Sequence, residues 1–197
     1  MNNPQYIEST IRAKTEIPPD ERAQELIVGD DSHNDPDEDL RLGPSESAPE
    51  AAPSWRVAKA LLILRDEVNR KAPNRNKSSD GTIGDARHCD GGGTSDHCAR
   101  IRDAGVGVVT AIDITHDVVN GCNAEVIADT IRGRQDPRVK YIIWNRRIAN
   151  SAPIGGQPAW AWRPYTGSNP HDKHVHISVK SIKEGQSGYD SSTPWGI

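Results

Sequence analysis

The run Asn169-Pro170-His171-Asp172-Lys173-His174-Val175-His176-Ile177-Ser178-Val179 decides the fold. It holds three of the chain's seven histidines within six residues. From His174 the pattern alternates, with His174, His176 and Ser178 on one side and Val175, Ile177 and Val179 on the other. Successive side chains of a strand point to opposite faces, so this alternation predicts a half-buried strand with both histidines on one face and the valines behind them. A rigid strand face offering two imidazoles suits a transition metal. The plainer alternative is a surface strand with two incidental histidines.

A second apolar run, Val106 to Thr115, reads as another strand. Ala111, Asp113 and Thr115 share one of its faces, and Ile112 and Ile114 the other. A carboxylate set between isoleucines in a central strand is costly unless it is paired or bound to metal. Before this run, residues 74–104 are rich in Gly, Asp, Ser and Asn. A loop of that length inside a compact domain is functional or disordered. It carries Asp80-Gly81-Thr82-Ile83-Gly84-Asp85, then His88, then Gly91-Gly92-Gly93-Thr94-Ser95-Asp96-His97.

The candidate metal ligands are therefore His97, Asp113 and His176. Two imidazoles and a carboxylate suit one Zn²⁺ ion, and three protein ligands leave a fourth position open, the mark of a catalytic rather than a structural site. His174, two residues from His176 on the same face, is the candidate catalytic residue, placed to take a proton from water or to stabilise an oxyanion. His171 and Asp172 precede the strand and are candidates to orient substrate or the groups behind the ligands; Ser95 and His88 are further candidates of that kind. The adjacent pairs His88-Cys89 and His97-Cys98 also raise a structural zinc knot, which the missing two-residue spacer argues against. His33 reads as exposed in a tail and His116 as structural.

These residues, Ser95-Asp96-His97, Ala111-Ile112-Asp113 and His174-Val175-His176, resemble the motifs of the zinc D-Ala-D-Ala carboxypeptidases and L-alanyl-D-glutamate peptidases of the Hedgehog/DD-peptidase fold. The spacing of His171, His174 and His176 is similar to that of the penicillin-insensitive murein endopeptidases. The resemblance covers roughly residues 54–180. It implies His97, Asp113 and His176 as zinc ligands, His174 as the catalytic partner, and peptidoglycan stem peptides as substrate. The 16 residues from His97 to Asp113 make a longer step than is usual in the family, which implies an inserted loop over Cys98 to Val109. The family's transition-state arginine has three candidates, Arg87, Arg147 and Arg163.

The rest of the chain frames this site. Residues 1–53 read as a disordered acidic, Pro-rich tail: half of the 14 prolines lie in the first 54 residues, with 13 acidic and 4 basic side chains, net −9. Residues 55–197 carry 15 acidic and 20 basic side chains, net +5. Such a surface prefers an anionic partner, a wall polymer or a nucleic acid. From Ser54, a candidate N-cap, a helix is expected with Val57, Leu61, Leu64 and Val68 on one stripe, Trp55, Ala58 and Leu62 beside it, and Pro73 as its stop. Ala124 to Arg132 is a second helix, with Val126, Ile127, Thr130 and Ile131 as its apolar side. Val139 to Trp144 is a strand. Trp160, Trp162 and Tyr165 read as packing aromatics, and residues 181–197 as a loosely docked extension. The elements add up to an α+β fold, helices on a small, mostly antiparallel sheet, in a domain spanning 54–180.

Three cysteines, an odd count, argue against a dedicated disulfide framework but allow one bridge, Cys89 to Cys98, in an oxidising compartment. No signal peptide and no membrane-length apolar run is visible, so the chain reads as soluble as made, a monomer acting on the cell wall after release by a phage, within a virion or by another export route. Two alternatives stand beside the peptidase. One is a metal-dependent nuclease, prompted by Asn145-Arg146-Arg147, although histidine-rich coordination suits nucleic-acid chemistry poorly. The other is a non-catalytic wall-binding module of the same fold.

Overall fold

The computed structural model describes residues 55–84, 89, 95–184 and 188–197. The acidic tail reading for 1–53, together with Ser54, Arg87 and His88, lies outside the described residues.

Among these residues are two α-helices and two mostly antiparallel sheets. A small sheet takes β1 (Trp55–Val57), β2 (Ile101–Asp103) and β3 (Val106–Val109) in the order β1-β3-β2. β1 runs parallel to β3, and β2 is antiparallel to it. The larger sheet holds β4 (Ala111–Thr115), β5 (Val139–Trp144), β6 (Arg147–Asn150), β7 (Arg163–Pro164) and β8 (His174–Val179). Its order is β4-β8-β5-β6-β7 and every pairing is antiparallel. The helices are α1 (Lys59–Lys71) and α2 (Ala124–Arg134).

The period-two alternation divides the larger sheet. One face gives Ile112, Ile114, Ile142, Val175, Ile177 and Val179 to the main core, shared with Leu61, Leu64 and Val68 of α1 and Ala124, Ile127, Ala128 and Ile131 of α2. Fully burying each Leu or Ile contributes about 1.5–3 kcal/mol, so this layer fixes which way β4 and β8 face. The opposite face carries a smaller cluster of Tyr141, Ile143, Ile148 and Tyr165. Asp113, His174 and His176 lie on this second face.

Several expectations are corrected. The first helix begins at Lys59, after Ala58, and Trp55 to Val57 pairs with β3, so Val57 belongs to a strand and not to the helical stripe. The helix ends at Lys71; Ala72 N–H still reaches Val68 O, and Pro73 has no N–H to continue the ladder. The apolar run from Val106 breaks at Thr110 into strands of two different sheets. Thr110 N–H donates to Asp96 O, while its carbonyl accepts Val179 N–H. The expected inserted loop over Cys98 to Val109 is largely the β2–β3 hairpin. Val126 is 58% exposed, because the buried side of α2 is formed by the alanines and isoleucines. Asn123 caps α2 by accepting from Glu125 N–H and Val126 N–H.

The C-terminal extension is docked firmly rather than loosely. Buried Glu67 accepts N–H bonds from Trp195 at 2.7 Å, Gly196 at 2.8 Å and Ile197 at 3.3 Å. Trp195 Nε1 donates to Ala60 O, and the Arg138 guanidinium lies 3.9 Å from the Trp195 ring centre. Replacing Glu67 by Ala strands three donors and removes bonds of the charged kind. The variant is expected to lose about 1.5–3 kcal/mol of stability, read from its urea midpoint, with Trp195 fluorescence shifting toward that of exposed indole.

Candidate metal centre

β8 lies between β4 and β5, and its register sets Asp113 opposite His176 and Thr115 opposite His174. Both partners are held by ladder bonds on either side, so their side chains project from a rigid element. His97 arrives from a loop, and that loop is pinned. Gly84 N–H donates to His97 O, His97 N–H to Ser95 Oγ, and Thr110 N–H to Asp96 O. Gly81 runs against β4, with Asp113 N–H donating to Gly81 O at 2.9 Å. A side chain at position 81 would bring a Cβ within 2.8 Å of Asp113 Oδ2, so the close approach requires glycine.

Three donor groups converge. His97 Nε2 is 3.1 Å from His176 Nδ1 and 3.3 Å from Asp113 Oδ2, and His176 Nδ1 is 3.0 Å from Asp113 Oδ1. The hydrogen-bond partners settle the tautomers. His97 Nδ1 sits 2.8 Å from the Thr82 carbonyl, which can only accept, so Nδ1 carries the proton and Nε2 the lone pair. His176 Nε2 is 3.1 Å from Ser178 Oγ, whose own proton goes to Asp96 Oδ2 at 2.8 Å. Nε2 is then the donor, and Nδ1 holds the lone pair. Two lone pairs and a carboxylate then face one another, an arrangement that can hold a cation between them. Donors around a tetrahedral ion at about 2.0–2.1 Å stand roughly 3.3–3.4 Å apart, close to the spacing found. These buried His and Asp groups can hold a metal ion.

The carboxyl of Asp113 is held well below its ordinary range. Burial works against its charge, but the imidazoles of His97 and His174 beside it, and the close contacts of His176 and His97 with its oxygens, outweigh it. It stays ionised and is the charge that balances a cation. His174 is displaced downward, chiefly by burial and against the pull of Asp113. The residue is 5% exposed, yet among the described residues neither ring nitrogen has a hydrogen-bond partner, and Nε2 is 3.9 Å from Asp113 Oδ1. A buried imidazole with both nitrogens unsatisfied costs stability and points to an interaction made with something that binds.

The structure thus brings together His97, Asp113, His174 and His176. It also brings His171, which is buried and stands edge-on to His174 with ring centres 5.0 Å apart. Ser95 is buried and holds the backbone of His97 instead of facing the centre. Asp172 is exposed and is not in the cluster. His116 accepts Ala124 N–H and packs on Trp144, a structural role as expected. Cys98 is joined to Cys89 by a disulfide, so it is no thiolate ligand and the zinc-knot alternative lapses. Arg147 is engaged by Glu125, and Arg163 bonds Asn150. Asn145 and Arg146 form the two-residue β5–β6 turn, both at positive φ.

Sequence reasoning missed the support behind the ligands: Thr82, which orients His97, and the chain Lys140–Asp96–Ser178 behind His176. The alternation that placed Ser178 beside His176 was the available signal. Replacing Ser178 by Ala removes the acceptor that fixes the His176 tautomer. Metal affinity, measured against a competing chelator, is expected to fall about 10–100-fold with the fold retained.

Compared with known protein families, curated proteins and solved structures, the chain matches none.

Proposed function

We propose that this chain is a zinc-dependent peptidase that hydrolyses peptide bonds in the stem peptides of bacterial peptidoglycan, on a fold of the Hedgehog/DD-peptidase type. The observation that carries the reading is the meeting of His97 Nε2, His176 Nδ1 and the Asp113 carboxylate beside a buried, unpartnered His174. Two imidazoles with one carboxylate favour zinc over magnesium or calcium, and three protein donors leave room for solvent or substrate. Once bound, zinc supplies Lewis acidity that acidifies water and polarises a carbonyl. Asp113 offsets the ion's charge. Thr82 and Ser178 keep the ligand nitrogens in their donor tautomers. His174, kept neutral by burial, accepts a proton from the attacking water and stabilises the developing oxyanion. Water adds across the amide, hydroxyl to the carbonyl carbon and proton to the departing amine.

The choice of wall peptides rests on the likeness of three motifs in their order along the chain, supported by a folded region of net +5 that suits an anionic polymer. Among the described residues no helix is long and apolar enough to cross a membrane. A monomer acting directly on the wall is the simplest form of the proposal.

Digestion of purified cell walls tests it. Turbidity is expected to fall, to hold steady when a chelator is added, and to fall again when zinc is restored. Mass spectrometry of the released muropeptides should show new termini at one peptide bond, which also distinguishes an endopeptidase from a carboxypeptidase. Walls bound but uncut favour the binding module, and plasmid nicking without wall clearing favours the nuclease.

A further inference from the structure

Asp113 Oδ1, which lies 3.0 Å from His176 Nδ1, is also 3.9 Å from Nε2 of buried His174, and a ring nitrogen of buried His171 lies within 4.8 Å of both groups. We infer that Asp113, His171 and His174 form a second, weaker site for an imidazole-preferring divalent metal such as Zn²⁺, sharing Asp113 with the first. Occupation of this site engages His174 and so inhibits the chain. Only the inhibition rests on the peptidase reading.

One donor atom from each of the three residues falls within 4.8 Å of the others, and all three residues are buried. His171 is 1% exposed, and its backbone is left-handed, with φ 51° in a non-glycine residue. Such a conformation persists only where the surroundings impose it, and it clusters at sites that bind or react. Here the imposition is visible. His171 N–H donates to Asn169 Oδ1 at 3.0 Å, and its carbonyl accepts Asn145 N–H at 2.8 Å. Arg146 N–H holds the Pro170 carbonyl, also at 2.8 Å. The β5–β6 turn thus clamps the segment that presents this ring. His171 Nδ1 lies 3.0 Å from the Asn169 carbonyl, an acceptor only, so Nδ1 carries the proton and Nε2 the lone pair. His174 supplies the independent observation. It is buried, and among the described residues both of its ring nitrogens are without a hydrogen-bond partner. Coordination at one nitrogen removes that nitrogen's share of the cost.

The second site is weaker for two reasons. Donors of the first lie 3.0–3.3 Å apart, whereas the limit for the second is 4.8 Å, so its side chains must close further on an ion. One carboxylate must also serve two dications. Two imidazoles select zinc, cobalt or nickel rather than magnesium or calcium.

Calorimetric titration of the metal-free full chain with Zn²⁺ tests this. Wild type is expected to take up one tight equivalent and a second that is weaker by about tenfold or more. His171→Ala should keep the tight equivalent and lose the second. His171→Gln, which preserves bulk and a polar end, should do the same and guards against misfolding of the first variant, with circular dichroism as the check. A single equivalent in wild type, or a second equivalent that persists in both variants, overturns the site. In wall digestion, excess zinc should slow wild type but not His171→Ala relative to its own rate at stoichiometric zinc. Walls left uncut by every form would remove the peptidase reading, and the binding stoichiometry would still decide the second site.

Discussion

Asp113→Ala is expected to bind no zinc after dialysis and to leave cell walls intact. Asp113 is the carboxylate on which His97, His171, His174 and His176 converge. The metal would lose one of its three protein donors and the charge that offsets its own. Structural zinc held by four ligands is worth about 10–16 kcal/mol, so one ligand accounts for roughly 10²–10³-fold in affinity. The loss applies to both proposed sites, because they share this residue. Asp113→Asn separates charge from shape. It keeps the planar side chain beside Gly81 but not the charge, and it is expected to bind zinc almost as poorly. Neither change touches the ladder of β4, whose backbone bonds to β8 and to Gly81 remain. The fold should therefore survive, and circular dichroism with elemental analysis reads both properties. Retention of one zinc per chain with measurable wall hydrolysis in Asp113→Ala would end the proposal for this centre.

The site face of β8 was legible because its signal is local. A strand imposes a period of two, and His174, His176 and Ser178 against Val175, Ile177 and Val179 meet it without exception. Asp113 was legible through cost, as a charge that an all-buried strand cannot carry without partners. What escaped depends on contacts distant in sequence. Trp55 to Val57 fits a helical stripe by spacing, yet the edge of β3 claims it. Val106 to Thr115 is one apolar run, and nothing within it announces the handover between sheets at Thr110, which Asp96 and Val179 impose. The polar composition of residues 181–194 concealed the docking of Trp195 on Glu67, 128 residues away. His171 looked like a residue preceding a strand. Its left-handed backbone is held by a turn at Asn145 and Arg146, residues that in sequence prompted the nuclease alternative.

His174→Ala is the change that separates binding from chemistry. His174 is not among the donors of the tight centre; His97, Asp113 and His176 remain. One zinc per chain is therefore expected, at close to wild-type affinity, and only the weaker second equivalent should be absent. Hydrolysis, by contrast, loses the group that accepts the proton of water and faces the developing oxyanion. General acid–base assistance of this kind is worth about 10²–10⁴-fold, and wall clearing should slow by that range without vanishing. Stability moves in two opposed directions. Removing the ring opens a cavity beside Thr115 and His171, which costs packing energy. It also removes two buried nitrogens that the protein leaves unsatisfied, which relieves a penalty of about 1–3 kcal/mol for such groups. The melting point should accordingly shift little, so a large fall in rate cannot be put down to unfolding. Equal loss of the tight zinc in this variant would make His174 a ligand of the first centre, and its assigned part in moving the proton would have to pass to another group.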